Sequence, residues 1–125
     1  MLARLCQMMS EDYEVVGTAE NGLDSYKAVL ALQPDVVLLD ITMPAMDGLL
    51  VAQRLRDAKS CAKIILLSAY DDPDFIAAGF AAGADCYVTK ARITTDLDAA
   101  IGIALQGNHF ISQSTGIAEL SNEKP

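Results

Sequence analysis

The chain has 125 residues, the size of one ordinary domain, and 52% of them are hydrophobic, which supports a sizeable core and excludes a disordered segment. Its formal net charge of −8 argues against gripping nucleic acid by neutralising phosphates and suits cations or basic partner surfaces. No apolar run approaches the ~18 residues of a membrane span, the opening MLARLCQMM lacks the cleavage pattern of a signal peptide, and Cys6, Cys61 and Cys86 form no CxxC pair, which suggests a reduced, cytoplasmic setting.

In chain order, ARLCQMM reads as a short helical stub. YEVVGTA (13–19) is β-branched and strand-like. After the Asn21-Gly22 break, Leu23, Tyr26 and Leu30 fall on one helical face, and Gln33-Pro34 stops that helix. DVVLL (35–39) is a continuous apolar run, the mark of a strand covered on both faces of a parallel sheet. GLLVAQRLRDA is helical, with Leu49, Ala52 and Leu55 on one side.

KIILLSA (63–69) is a second buried strand. DPDFIAAGFAAG is a helix opening at Asp72-Pro73 and closing at Gly83. CYVT (86–89) is a short strand, and TTDLDAAIGIALQG is the last helix, capped by Thr94 or Thr95 and burying Leu97, Ile101, Ala104 and Leu105. Strands alternating with helices predict an α/β doubly wound parallel sheet. Residues 1–111 form the folded unit, and 112–125 read as a polar linker or tail.

In such sheets the working site lies beyond the carboxyl ends of the strands. Asp40 ends one strand, Ser68 ends the next, and Lys90 follows the last. Each alone is ordinary: aspartate shapes turns, serine caps, and lysine is solvated. Together they offer a carboxylate nucleophile, a hydroxyl donor and a cationic point charge, a set suited to an aspartyl phosphate. Mg²⁺ held partly by the carboxylate would screen phosphoryl oxygens.

These stretches resemble the receiver domain of bacterial two-component response regulators. PDVVLLDITMPAMDGL is similar to the family's phosphoacceptor strand and loop, and IILLSAYDD and AAGADCYVTKA to its fourth and fifth strand segments. The spacing and the GNHFISQS stretch resemble the NarL/LuxR-type subgroup. The resemblance implies a flavodoxin-like (CheY-like) fold of five parallel strands in order 2-1-3-4-5. It also implies that Asp40 accepts a phosphoryl group from a sensor histidine kinase, with Lys90 and Ser68 binding its oxygens and the Thr42 backbone carbonyl assisting Mg²⁺. Tyr87 matches the switch aromatic, Tyr70 the position that limits water access, and Met43-Pro44 and Gly48 the loop. The implied protein is a phosphorylation switch rather than an enzyme. It has a homodimer contact, and it reaches DNA and transcription only through a C-terminal domain that this chain does not contain.

Two departures stand out. Ala91 occupies the position after the lysine where many receivers carry proline, which leaves the isomer of the Lys90-Ala91 bond open. Counting back from Asp40 to the family's acidic pair passes upstream of Met1, so the central first strand and its acids are expected to be missing. Glu11-Asp12 precede the second strand and fall at the wrong rim. A four-stranded remnant with weak Mg²⁺ binding is the expectation. Two alternatives follow: a degenerate receiver serving as a phosphorylation-poor interaction module, and a haloacid-dehalogenase-type phosphatase. The second is disfavoured because Thr42 stands where that family places a second acid.

Overall fold

The computed structural model describes residues 3–8, 13–41, 47–69 and 73–112. Its sheet contains β1 (Ala3–Met8), β2 (Tyr13–Ala19), β3 (Val36–Asp40), β4 (Lys63–Ser68), β5 (Cys86–Thr89) and β6 (Phe110–Ile111), in the order β2-β1-β3-β4-β5-β6. The helices are α1 (Gly22–Leu32), α2 (Gly48–Asp57), α3 (Pro73–Ala81) and α4 (Ile93–Leu105). The flavodoxin-like α/β architecture expected from sequence is present.

The opening segment departs from expectation. Residues 3–8 form a strand, not a helical stub, and that strand fills the central position between β2 and β3. It runs antiparallel to both neighbours, with Ala3 opposite Ala19 and Leu39 and Cys6 opposite Val36. The helix propensity of Ala, Arg, Leu, Gln and Met is worth only tenths of a kcal/mol per residue. The edges of β2 and β3 would otherwise leave a row of main-chain groups without ladder partners, a larger cost. The slot is therefore occupied, and the sheet is mixed: β3, β4, β5 and β6 are mutually parallel while β1 is reversed.

Side chains of β3 and β4 alternate between two cores. On one face Val37, Leu39, Ile64, Leu66 and Tyr87 pack against α1, α2 and α3. On the other, Val36, Leu38, Ile65, Cys86 and Val88 pack against Ala100, Ile101 and Ala104 of α4. Burial on both faces explains why these strands read as unbroken apolar runs. The expected stripes of α2 and α4 meet the core, with Leu49, Leu97 and Leu105 partly buried at its margin.

The α1 stripe is different. Leu23 and Leu30 are exposed, Tyr26 packs partly buried against the core as expected, and the fully buried face is Gly22, Ser25 and Val29. Small residues on that face let the helix approach the sheet closely, and the Ser25 hydroxyl donates to Asn21 O at 2.9 Å. Asn21 caps this helix, accepting from Asp24 N at 2.8 Å, and Gln33 ends it in the left-handed conformation with φ 50°. Pro73 opens α3 at the first helical position, and Gly83 follows its end with φ 110°. No threonine side chain caps α4; its cap position is Arg92.

Candidate functional site at the carboxyl ends of the strands

The parallel register brings the expected residues to one rim. Asp40 stands opposite Leu67 on β4, one residue short of Ser68, and Ser68 stands opposite Thr89, one residue short of Lys90. The chain turns off the sheet immediately after Thr89, into a short 3₁₀ turn over Lys90–Arg92. From there the Lys90 ammonium donates to Asp40 Oδ2 at 2.5 Å. The Asp40 side chain is 11% exposed and that of Lys90 44%. The acid is set into the rim while its cation reaches in from solvent on a flexible stem.

Gly48 explains how the next element fits. Its N–H donates to Ile41 O at 3.0 Å. A Cβ at this position would lie 2.6 Å from Asp40 O and 2.9 Å from Ile41 Cα. Glycine thus lets the first turn of α2 sit directly on the main chain that carries the acid. Asp47 caps that helix, accepting from Leu50 N at 2.9 Å.

Tyr87 is fully buried and lies beneath α3, where a Cβ on Gly79 would meet Leu66 Cδ1 at 2.8 Å and Tyr87 Cδ2 at 3.4 Å. Gly79 is therefore a packing position, where the helix backbone rests on the tyrosine ring. Thr89 is buried, and its hydroxyl has no hydrogen-bond partner among the described residues. A buried, unpaired hydroxyl costs about 1–3 kcal/mol.

The structure thus brings Asp40 and Lys90 into contact and places Ser68 on the adjoining strand end, while Tyr87 lies two residues before the end of β5, in the core beneath α3. Thr42, Tyr70 and Met43-Pro44 lie outside the described residues. The described residues contain no cis peptide, so the Lys90-Ala91 bond is trans.

A Mg²⁺ ion wants octahedral oxygen ligands. Among the described residues no group of three or more His, Cys, Asp or Glu is arranged to hold a metal, and Asp40 already pairs with an ammonium. The described residues alone do not fit such a site.

Sequence reading missed a second cluster beside Lys90. Asp96, buried in the first turn of α4, accepts from Arg92 Nε at 2.9 Å, from Arg92 at the other oxygen at 3.3 Å and from Thr95 Oγ1 at 3.2 Å. It also accepts from Ser112 Oγ at 2.8 Å. Burial opposes its charge, but the hydrogen bonds from Arg92, Ser112 and Thr95 and the Arg92 charge outweigh that and hold its carboxyl below the usual range. Ser112, expected to begin the tail, is fully buried. Its N–H donates to Tyr87 O at 2.9 Å, and its Oγ accepts from Thr89 N at 3.2 Å. An aspartate in the first helical turn with an arginine four residues earlier was a visible signal, but a partner sixteen residues away was not.

Of the described cysteines, Cys61 is exposed and Cys86 is buried. Burial pushes the Cys86 thiol up to about 12, so it behaves as a packed apolar group.

Comparison with known proteins agrees with this geometry. The chain is 33% identical over 117 residues to the transcriptional regulatory protein YvfU of Bacillus subtilis, covering 94% of this chain and 58% of that one. It is 32% identical over 106 residues to the nitrate/nitrite response regulator protein NarL of Escherichia coli, covering 85% and 49%. The chain thus spans about half the length of these relatives. A two-component response regulator of the LuxR family from Aurantimonas sp. superposes with a TM-score of 0.76 at 29% identity, covering 88% of this chain and 78% of that one. The response regulator receiver domain family matches residues 1–102, and the chain belongs to it.

Proposed function

We propose that this chain is a phosphoacceptor switch in which Asp40 receives a phosphoryl group from a phosphohistidine on a sensor kinase. The observation that supports it is the contact between the Lys90 ammonium and the recessed Asp40 carboxylate at the strand-end rim, with Ser68 one strand away. An Asp40 oxygen attacks phosphorus and the P–N bond to the donor imidazole breaks. The bonding electrons stay on the imidazole nitrogen, which keeps its aromatic sextet and later exchanges protons with solvent. Lys90 then follows the new negative charge, and the Ser68 hydroxyl donates to a phosphoryl oxygen.

The acyl phosphate adds about −1.5 to −2 charge at the rim. Ser68 and Lys90 respond to it from either side of α3, and Tyr87 under that helix carries the response. The switch extends one residue past the expected boundary, to the buried Ser112; its working location is the cytoplasm, and it pairs with a second copy of itself. Its output is transcription, exerted through a DNA-binding part outside these 125 residues, as the relatives' names suggest.

The test uses phosphoramidate as a small phosphodonor, with Mg²⁺ in the buffer and intact-mass spectrometry as the readout. A base-labile phosphoryl adduct is expected on the native chain and on none of the Asp40→Asn protein. An adduct that survives Asp40→Asn, or none on the native chain, overturns the assignment.

A further inference from the structure

The short turn that carries Lys90 is weakly built by itself. Thr89 at its start provides no side-chain cap, and residue 91 is alanine, with no ring to fix its backbone. Yet the lysine nitrogen must be held within hydrogen-bond reach of one carboxylate oxygen. The main chain on both sides of Lys90 is instead tied to a single buried carboxylate. Upstream, Thr89 N donates to Ser112 Oγ, and that hydroxyl donates to Asp96 Oδ2. Downstream, the Arg92 guanidinium donates to both oxygens of Asp96, and the single Thr95 hydroxyl proton is shared between Arg92 O and Asp96 Oδ1, each 3.2 Å away.

We propose that Asp96 is a positioning residue that sets Lys90 over Asp40, acting through Ser112 on one side of the lysine and Arg92 on the other. The inference rests on the phosphoacceptor reading for its purpose, but its geometry is independent of phosphorylation.

The arrangement has a second property. Ser112 is also bonded to Tyr87 O through its own N–H, so the segment that follows β6 is fastened to β5 by the same carboxylate that steadies the turn. His109, just ahead of β6, rests against Phe80 of α3 with ring centroids 5.5 Å apart. The exit of the chain from the sheet therefore touches α3, β5 and α4 together. The site and the exit of the chain are thus joined through one hydroxyl, that of Ser112.

The experiment reads the lysine directly. The full chain is reductively ¹³C-methylated, and the Lys90 dimethylammonium resonance is assigned by its loss in Lys90→Arg. In the native chain this resonance is displaced by the carboxylate, and Asp40→Asn gives its unpaired position. Asp96→Ala is expected to move the resonance most of the way to that unpaired position. Ser112→Ala, which removes one hydroxyl and leaves the bond from the residue 112 N–H to Tyr87 O in place, is expected to move it in the same direction. Asp85→Ala breaks an ion pair at the other end of the sheet and serves as the measure of general destabilisation; it should lower the melting temperature and leave the resonance in place. A resonance unmoved in Ser112→Ala, or moved as far in Asp85→Ala, overturns the proposal. Failure of the native chain to accept phosphate from phosphoramidate would instead count against the phosphoacceptor reading, and the resonance would still decide the role of Asp96.

Discussion

Both rims of the sheet carry an acid paired with a base, and the two pairs are constructed differently. At the amino-end rim Arg56 donates to Asp85 Oδ2 at 2.7 Å, to Gly83 O at 2.8 Å and to Ala62 O at 3.1 Å. Asp85 in turn accepts from Ile64 N at 2.8 Å. A planar guanidinium is held by several carbonyls, and its carboxylate partner is held in turn by a main-chain N–H, so the pair is fixed to the backbone. At the carboxyl-end rim a half-exposed lysine reaches a recessed aspartate through its ammonium. An ammonium on a flexible stem can leave one oxygen and follow another. The difference separates a staple from an exchangeable contact, and it does so without reference to cavity size. A cavity of about 420 Å³ opens at the amino-end rim, beside Lys59, Cys61 and Lys63, away from the acid–lysine pair.

Removing one member of each pair tests this contrast most severely. Asp85→Ala leaves Arg56 and Ile64 N without their acceptor and is expected to cost about 3 kcal/mol in urea unfolding. Lys90→Ala removes a solvent-screened cation and should cost about 1 kcal/mol or less while abolishing stable accumulation of the phosphoryl adduct. Equal losses of stability would erase the distinction.

Gly48→Ala probes how closely the carboxyl-end rim is fitted. Its Cβ would meet main-chain atoms of Asp40 and Ile41, which cannot swing aside as a side chain can. A loss of about 2 kcal/mol is expected, together with a shift of the Asp40 amide resonance.

Thr89→Val should have the smallest effect and the opposite sign. It exchanges a buried unpaired hydroxyl for a methyl of similar volume, so stability should hold or rise by about 1 kcal/mol. A clear loss would mean that this hydroxyl has a partner in solution.

How far the sequence could be read follows from where each signal is stored. The inner strands were legible because burial on both faces demands an unbroken apolar run, as in VVLLD and KIILLS. Asp40, Ser68 and Lys90 were legible because strand-end position is a topological fact once the strands are found. Ala3–Met8 was misread because its residues favour helix individually, while the vacancy between two neighbouring strands decided the outcome. The α1 face was read only in part: Tyr26 does pack against the core, but Leu23 and Leu30 are exposed while the small Gly22 and Ser25 are buried. Asp96 and Ser112 stayed hidden because their meeting depends on β6 pairing with β5, which a two-residue strand does not announce.

Reversal of β1 exchanges the ends of that strand. Ala3 lies beside Leu39, next to the acid, whereas a parallel strand in the same slot would bring its carboxyl end there. A substitution at Ala3 therefore falls beside the strand end that carries Asp40, whereas one at Cys6 falls at the far end of the ladder, opposite Val36.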